Sequence, residues 1–432
     1  MFQPLALLHR QFTFSVLNRL LGPEQARSRA GYAPIRGRLL YVAQSARPYD
    51  INGYTSRTHE LLLALQEEGD VHVCTRCGYP WDRHKDASPV LEDGSFSTRV
   101  DTVRYLHLPS PKNNCLTAIY AGRAARFLED LCRKIRPAVI HAASNHVNAL
   151  PALIVAKHLG IPFQYEIRGL WELSRLANNP NYRRSHNLQL GLDLEALVAR
   201  HADRVFVISE ELAQYAKEHW RIEENRLVLL PKCVNPERFT VEERTEQGHR
   251  HPILGYAGSL VAYEGLDVLL HALKLMESPP RLEIVGDGAA RASLEALASS
   301  LGLLDTVVFF GRVSPKEAIK RLKSWDMVCL PRRADMVCRL IPPLKLVEAM
   351  AMGKAILVPD LPLFRAETGN LGNFFEPGNP QSMAQVLANL LQGRDWARQG
   401  SKNRQYVLER RLWRHFVPQI LALANNRKES PC

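Results

Sequence analysis

Cysteine is scarce in this chain: its 432 residues hold 8, widely scattered, which is too few for a disulfide scaffold. The one close pair, Cys74 and Cys77, has zinc-knuckle or redox spacing. No second Cys/His pair follows at a suitable distance, so the two read as incidental thiols. No apolar run is long enough to span a bilayer and no secretory leader opens the chain, so a cytoplasmic protein is expected. There is no G-x-G-x-x-G and no basic-aromatic repeat, which removes the strongest dinucleotide and nucleic-acid signatures. A paired-carboxylate arrangement of the glycosidase kind is also missing.

What is present is an ordinary globular composition, 46% hydrophobic and 23% charged, on a chain too long for one core and suited to two domains of roughly 200 residues each. The net charge of +12 is less ordinary and unevenly spread. Arg10, Arg19, Arg27, Arg29, Arg36 and Arg38 face only Glu24 in the first 38 residues, and the stretch from Leu391 onward is again mostly basic. Solvated helix faces account for this, or attraction to anionic lipid or a lipid diphosphate; nucleic acid is the weakest partner. Residues 4–21 suit an amphipathic helix with Leu5, Leu8, Phe12, Val16 and Leu20 on one stripe. That stripe would either pack on the protein or lie in a membrane interface.

Apolar runs at 38–45, 70–74, 139–143, 162–167, 204–209 and 227–230 read as buried strands alternating with helices. After a polar run at 242–251 the pattern resumes with strands at 252–259, 281–285, 307–310, 327–330 and 355–358. The expected class is therefore α/β with parallel sheets and right-handed crossovers. The expected divisions are an extension over 1–37, domains over 38–225 and 226–403, and a basic helix over 404–432 that crosses back to the first domain.

The chemistry is expected in residues 341–360. Pro342 and Pro343 suit a helix entry, because a missing N–H costs nothing in the first turn. A helix from about Leu344 would aim its free N–H groups and dipole at the preceding loop, beside the Lys345 cation. Glu348, one turn on, can accept hydrogen bonds from ribose or sugar hydroxyls. Phosphate and hydroxyl recognition together suggest a nucleotide sugar. In the first half Arg57 and His59 lie near a helix start, His141 and Asn145 follow a strand, and Glu166 and Arg168 end another. The last two are candidates for a site, or for a structural pair with each other.

Several motifs stand in order: Gly258-Ser-Leu-Val-Ala-Tyr-Glu-Gly-Leu-Asp267, Val285-Gly-Asp-Gly288, Phe310-Gly-Arg312, and the stretch from Pro342 to Gly353. With Asn52-Gly-Tyr54 and Tyr165-Glu-Ile-Arg-Gly-Leu-Trp-Glu172, the chain resembles the retaining, GT-B-fold glycosyltransferases of family 4, and among them a bacterial exopolysaccharide subgroup. The resemblance implies two Rossmann-like domains facing each other across a cleft. It also implies sugar transfer from a UDP- or GDP-sugar to a saccharide or lipid-linked acceptor, with no obligatory metal and no further cofactor. Glu348 would meet the donor ribose, Gly53 and Gly258 the phosphates, and Lys345 the diphosphate. Ser259, Gly286, Arg332, Pro343 and Leu344 complete the donor candidates, while Arg57, His59, His141 and Asn145 are acceptor-side candidates. Lys345, Arg339, Glu166 and Arg168 are the candidates for direct catalysis. Three positions depart from the family pattern: Leu340 stands where a first motif Glu is due, and Ser259 and Glu264 stand where many members carry Arg and Lys. Charge compensation would then fall to Arg332, Arg333, Arg339 and Lys345. The departures also leave room for a catalytically silent nucleotide-binding or scaffold protein of the same fold.

Overall fold

A computed structural model describes residues 3–22, 31–239 and 252–425. The polar run expected at 242–251, with Arg27 and Arg29, lies outside them. The chain divides into two compact units, one of Met1–Glu172, Asn181–Leu230 and Trp413–Cys432, the other of Leu173–Pro180 and Pro231–Leu412.

The sheet of the first unit contains β1 (Ile35–Ala43), β2 (Asp70–Thr75), β3 (Val90–Glu92), β4 (Ser95–Val100), β5 (Val103–His107), β6 (Pro137–Ala143), β7 (Phe163–Ile167), β8 (Arg204–Val207) and β9 (Leu227–Leu229). Their order is β3-β4-β5-β2-β1-β6-β7-β8-β9. The central strands are parallel, and their Val/Ile/Leu runs follow from having both faces covered. The outer strands depart from the all-parallel expectation, because β3, β4 and β5 pair antiparallel. The turn between β3 and β4 is Asp93-Gly94 with φ of +50° and +72°, the dipeptide that a tight hairpin turn of this twist favours.

The second unit holds β10 (Ile253–Ala257), β11 (Arg281–Val285), β12 (Val307–Gly311), β13 (Met327–Cys329), β14 (Ala355–Pro359) and β15 (Asn373–Phe375). They are ordered β12-β11-β10-β13-β14-β15 and all run parallel. In its core Trp325 lies flat against Gly255, where a Cβ would sit 1.9 Å from the indole. The indole N–H donates to Glu283 Oε2 at 3.0 Å. Strand order reverses between β1 and β6 in one sheet and between β10 and β13 in the other. Those switch points are where open parallel sheets leave a crevice beyond their carboxyl ends.

Two expectations change. The C-terminal stretch is two helices, Trp396–Arg410 in the second unit and Val417–Asn425 in the first. The chain leaves helix between them because Leu412 pairs with Val234 and the Trp413 ring is buried 4.8 Å from the Arg57 guanidinium. The N-terminal helix Gln3–Leu21 exists, but it turns Thr13 and Leu17 inward, not the expected stripe. It packs on the helix Thr117–Ile135, and Gly122 makes room for Leu20. Leu5, Leu7, Leu8 and Phe12 stay 44–67% exposed.

Candidate active site

In the second unit the carboxyl ends of β10 and β11 are joined turn to turn. Gly258 N–H donates to Val285 O at 2.9 Å and Leu260 N–H to Asp287 O at 3.0 Å. A Cβ on Gly286 would lie 1.8 Å from Gly258 O, and φ at Gly286 is +140°, so only glycine fits. Asp287 is a turn former, accepting from Gly288 N–H at 2.8 Å. Ser259 is exposed at the tip of the β10 turn.

Across the switch point the helix Leu344–Ala351 begins where Pro342 and Pro343 require. Pro343 is its N-cap, no side chain caps it, and its first turn carries no acid. The positive end of the dipole therefore meets no acid of the helix's own first turn. Lys345, in that first turn, reaches back to β10: a Cβ on Gly258 would lie 2.9 Å from Lys345 Nζ. Leu344 and Glu348 are half-buried on the same helix. The helix is braced from behind, where Gly400 presses on Gly353 closely enough that a Cβ would meet its carbonyl oxygen at 1.9 Å.

A single carboxylate organises the charges. Glu264 Oε1 accepts from Arg332 Nε and Nη2 at 3.2 and 2.8 Å, and Oε2 accepts from Lys345 Nζ at 2.6 Å. Arg332 Nη1 also donates to Ile341 O at 2.8 Å. Lys345 Nζ donates to Tyr256 Oη at 2.7 Å, and the Tyr256 hydroxyl donates to Ser259 O at 2.9 Å. Burial works against the ionised form of Glu264, but Arg332 and Lys345 outweigh it and hold the carboxyl down to about 2. Burial also pulls Lys345 down to about 8; Glu264 opposes the fall and Arg332 adds to it. The Glu264 and Arg332 side chains are 5% and 8% exposed, and that of Lys345 15%.

The other expected cations are placed differently. Arg333 pairs with Asp267. Arg339 is exposed at the end of the short helix Met336–Leu340, donating to Ala334 O at 2.9 Å. Leu340 is 6% exposed, so the register where a carboxylate was due is a packed apolar position.

In the first unit the corresponding strand ends carry a second shared carboxylate, that of Glu166, one of the residues expected to act directly. Glu166 is fully buried. Its Oε1 accepts from Arg57 Nε and Nη2 at 3.0 and 2.8 Å, and its Oε2 from Arg168 Nη2 at 2.8 Å. Arg57 also donates to Leu230 O at 2.7 Å, and Arg168 donates to Tyr41, Thr58 and the Tyr54 carbonyl. Burial opposes the ionised form of Glu166, but Arg168 and Arg57 hold it well below the usual carboxylate range. Arg57, His59 and His141, all acceptor-side candidates, are 0–1% exposed. His59 lies 2.9 Å from Tyr105 Oη and 2.7 Å from Asp101 Oδ2. His141 lies 3.0 Å from Gln164 Oε1. Asn145 Oδ1 is buried with no hydrogen-bond partner among the described residues. Gly53 opens the helix Gly53–Glu68, exposed, with nothing within 4 Å of where its Cβ would be.

Sequence reasoning missed Tyr256 and the linking role of Glu264. Tyr256 was findable, since strand alternation sets it two residues before Gly258. The Glu264–Lys345 pair joins residues 81 apart, and no local pattern signals it.

Comparison with known proteins supports this architecture. Residues 52–233 match the glycosyl transferase 4-like domain, and residues 238–406 the glycosyl transferases group 1 domain. A GDP-mannose-dependent alpha-mannosyltransferase of Mycolicibacterium smegmatis is 25% identical over 335 residues, 75% of this chain and 80% of that protein. Among solved structures, sucrose-phosphate synthase from Thermosynechococcus elongatus superposes with a TM-score of 0.72 at 17% identity, covering 89% of this chain and 98% of that one. Anabaena HepE in complex with UDP-glucose gives 0.64 at 16% identity, covering 89% and 98%. The fold is of the two-domain α/β GT-B type.

Proposed function

By both of its domains the chain belongs to the glycosyltransferases, and from that premise we propose that it moves a sugar from a UDP- or GDP-sugar to a saccharide or lipid-linked acceptor. Transfer retains the anomeric configuration, needs no metal, and serves polysaccharide or glycoconjugate synthesis. The observation that carries this reading is Lys345 Nζ set against the Gly258 turn at the uncapped start of the helix Leu344–Ala351. As the bond from the anomeric carbon to the β-phosphate oxygen breaks, negative charge gathers on that phosphate. Lys345 and the helix N–H groups lower the barrier by facing the charge as it forms. The leaving phosphate takes the acceptor proton, so no protein base is required. Glu348 accepts from the donor ribose hydroxyls. Both donor bases remain in the proposal, because the relatives named above include one that depends on GDP-mannose and one bound to UDP-glucose.

The test is nucleotide release from a panel of UDP- and GDP-sugars, with the anomeric configuration of the product read by NMR. Wild type turns over at least one donor, and Lys345→Ala and Glu348→Ala lower the rate. If wild type and both variants are equally inactive on the whole panel yet bind nucleotide, the silent binding or scaffold reading replaces this one.

The proposed setting is the cytoplasmic face of an anionic membrane. No helix among the described residues is long and apolar enough to cross one. The exposed Leu5, Leu7, Leu8 and Phe12, on a helix that also carries Arg10 and Arg19, suit shallow interfacial binding. Leu8→Ser with Phe12→Ser should abolish sedimentation with phosphatidylglycerol vesicles; undiminished binding would remove the membrane from the proposal.

A further inference from the structure

Glu264 is an unexpected residue to find in a site for a diphosphate, since its charge has the wrong sign. Its surroundings give it a use. The carboxylate is 5% exposed, and its two oxygens are divided between the two cations of the site, Oε1 to Arg332 and Oε2 to Lys345. Arg332 is anchored a second time by Ile341 O, which fixes the carboxylate from behind. Gly265 keeps this segment in place: it sits at φ +73°, and a Cβ on it would lie 2.0 Å from Pro331 O. Lys345 Nζ ends the chain of contacts on a long unbranched stem, over the Tyr256 ring at 4.0 Å from its centroid.

We propose that Glu264 is the positioning residue of this site: its carboxylate holds the Lys345 ammonium charged and aimed at the Gly258 turn, where the donor diphosphate is received. The inference rests on the donor-site reading above. The groups facing Lys345 are Glu264, Arg332, Cys338, Cys329 and Tyr256. Glu264 alone among them is a carboxylate. Without it Lys345 would share a buried site with the Arg332 cation and no counter-charge, and would shed its proton at lower pH. Simple charge counting predicts the opposite, that removing an anion strengthens binding of a diphosphate.

The experiment is calorimetric titration of the full chain with UDP and with GDP between pH 6 and pH 9.5, for wild type, Glu264→Gln, Glu264→Asp and Lys345→Ala. Wild-type affinity should fall as pH rises past about 8, and this basic limb should be missing in Lys345→Ala. In Glu264→Gln the limb should move about one unit lower, so that affinity near pH 8 drops about fivefold while the loss at pH 6 is smaller. Glu264→Asp keeps the charge on a shorter stem, so it should keep the wild-type limb with weaker binding throughout, and it carries the test if Glu264→Gln does not fold. An unmoved limb in Glu264→Gln, a uniform loss across pH, or tighter binding overturns the inference; in Glu264→Asp a shifted limb does so. Failure of the wild type to bind either nucleotide would instead take down the donor-site reading, and this inference with it.

Discussion

Each unit carries a buried carboxylate shared between two cations at the carboxyl ends of its strands, and the two clusters differ in one feature that decides their use. In the first unit Glu166 holds two arginines, both planar and permanently charged, and their donors go to Tyr41, Thr58, the Tyr54 carbonyl and Leu230 O. In the second unit Glu264 holds one arginine and one lysine, and the lysine side chain is the most exposed member of that cluster at 15%. A point charge on a flexible stem can turn from a carboxylate to a phosphate, whereas a guanidinium that donates to several acceptors cannot do so without breaking those bonds. The first cluster pairs its carboxylate with two arginines; the second ends in a lysine held by Glu264 and Tyr256.

The largest effect should come from breaking the first cluster. Glu166→Gln leaves two buried guanidiniums sharing no anion, and losing one partner of such a buried pair costs about 3–5 kcal/mol of stability. Urea unfolding monitored by tryptophan fluorescence would measure it, and a loss under 1 kcal/mol, the range of exposed pairs, would break the comparison. Lys345→Ala should reverse the pattern. Its unfolding midpoint should stay near wild type, while donor turnover falls by the equivalent of about 2.7–4 kcal/mol, the range for one lost transition-state donor. Glu348→Gln should act mainly on donor KM, by about 1.5–3 kcal/mol if a charged hydrogen bond to ribose is lost. Gly53→Ala should be close to neutral, because nothing lies within 4 Å of the added methyl.

Much of this was legible in the sequence where physics is local. The parallel strands announce themselves as apolar runs, and two prolines set the start of the helix at Leu344. The outer strands β3 and β4 were hidden, since their residues alternate with polar ones and only Asp93-Gly94 marks the hairpin. The inward turn of Thr13 and Leu17 on the N-terminal helix depends on packing against the helix Thr117–Ile135, which the local pattern does not contain. For the site, Lys345 and Glu348 are candidates from their positions at the helix start, and Gly258 from the family resemblance. Glu166 was ambiguous until its second arginine, Arg57, arrived from 109 residues away. Glu264 reads as a defect in a motif until Lys345 is placed beside it.

The most direct test of the contrast is UDP and GDP binding to Lys345→Ala and to whichever of Glu166→Gln and Glu166→Asp remains folded, each at pH 7 beside wild type. If the second cluster alone receives the diphosphate, Lys345→Ala loses affinity by about tenfold or more, consistent with a charged hydrogen bond, and the Glu166 variant binds as wild type does. Equal affinity for wild type and Lys345→Ala, or a loss confined to the Glu166 variant, would contradict it.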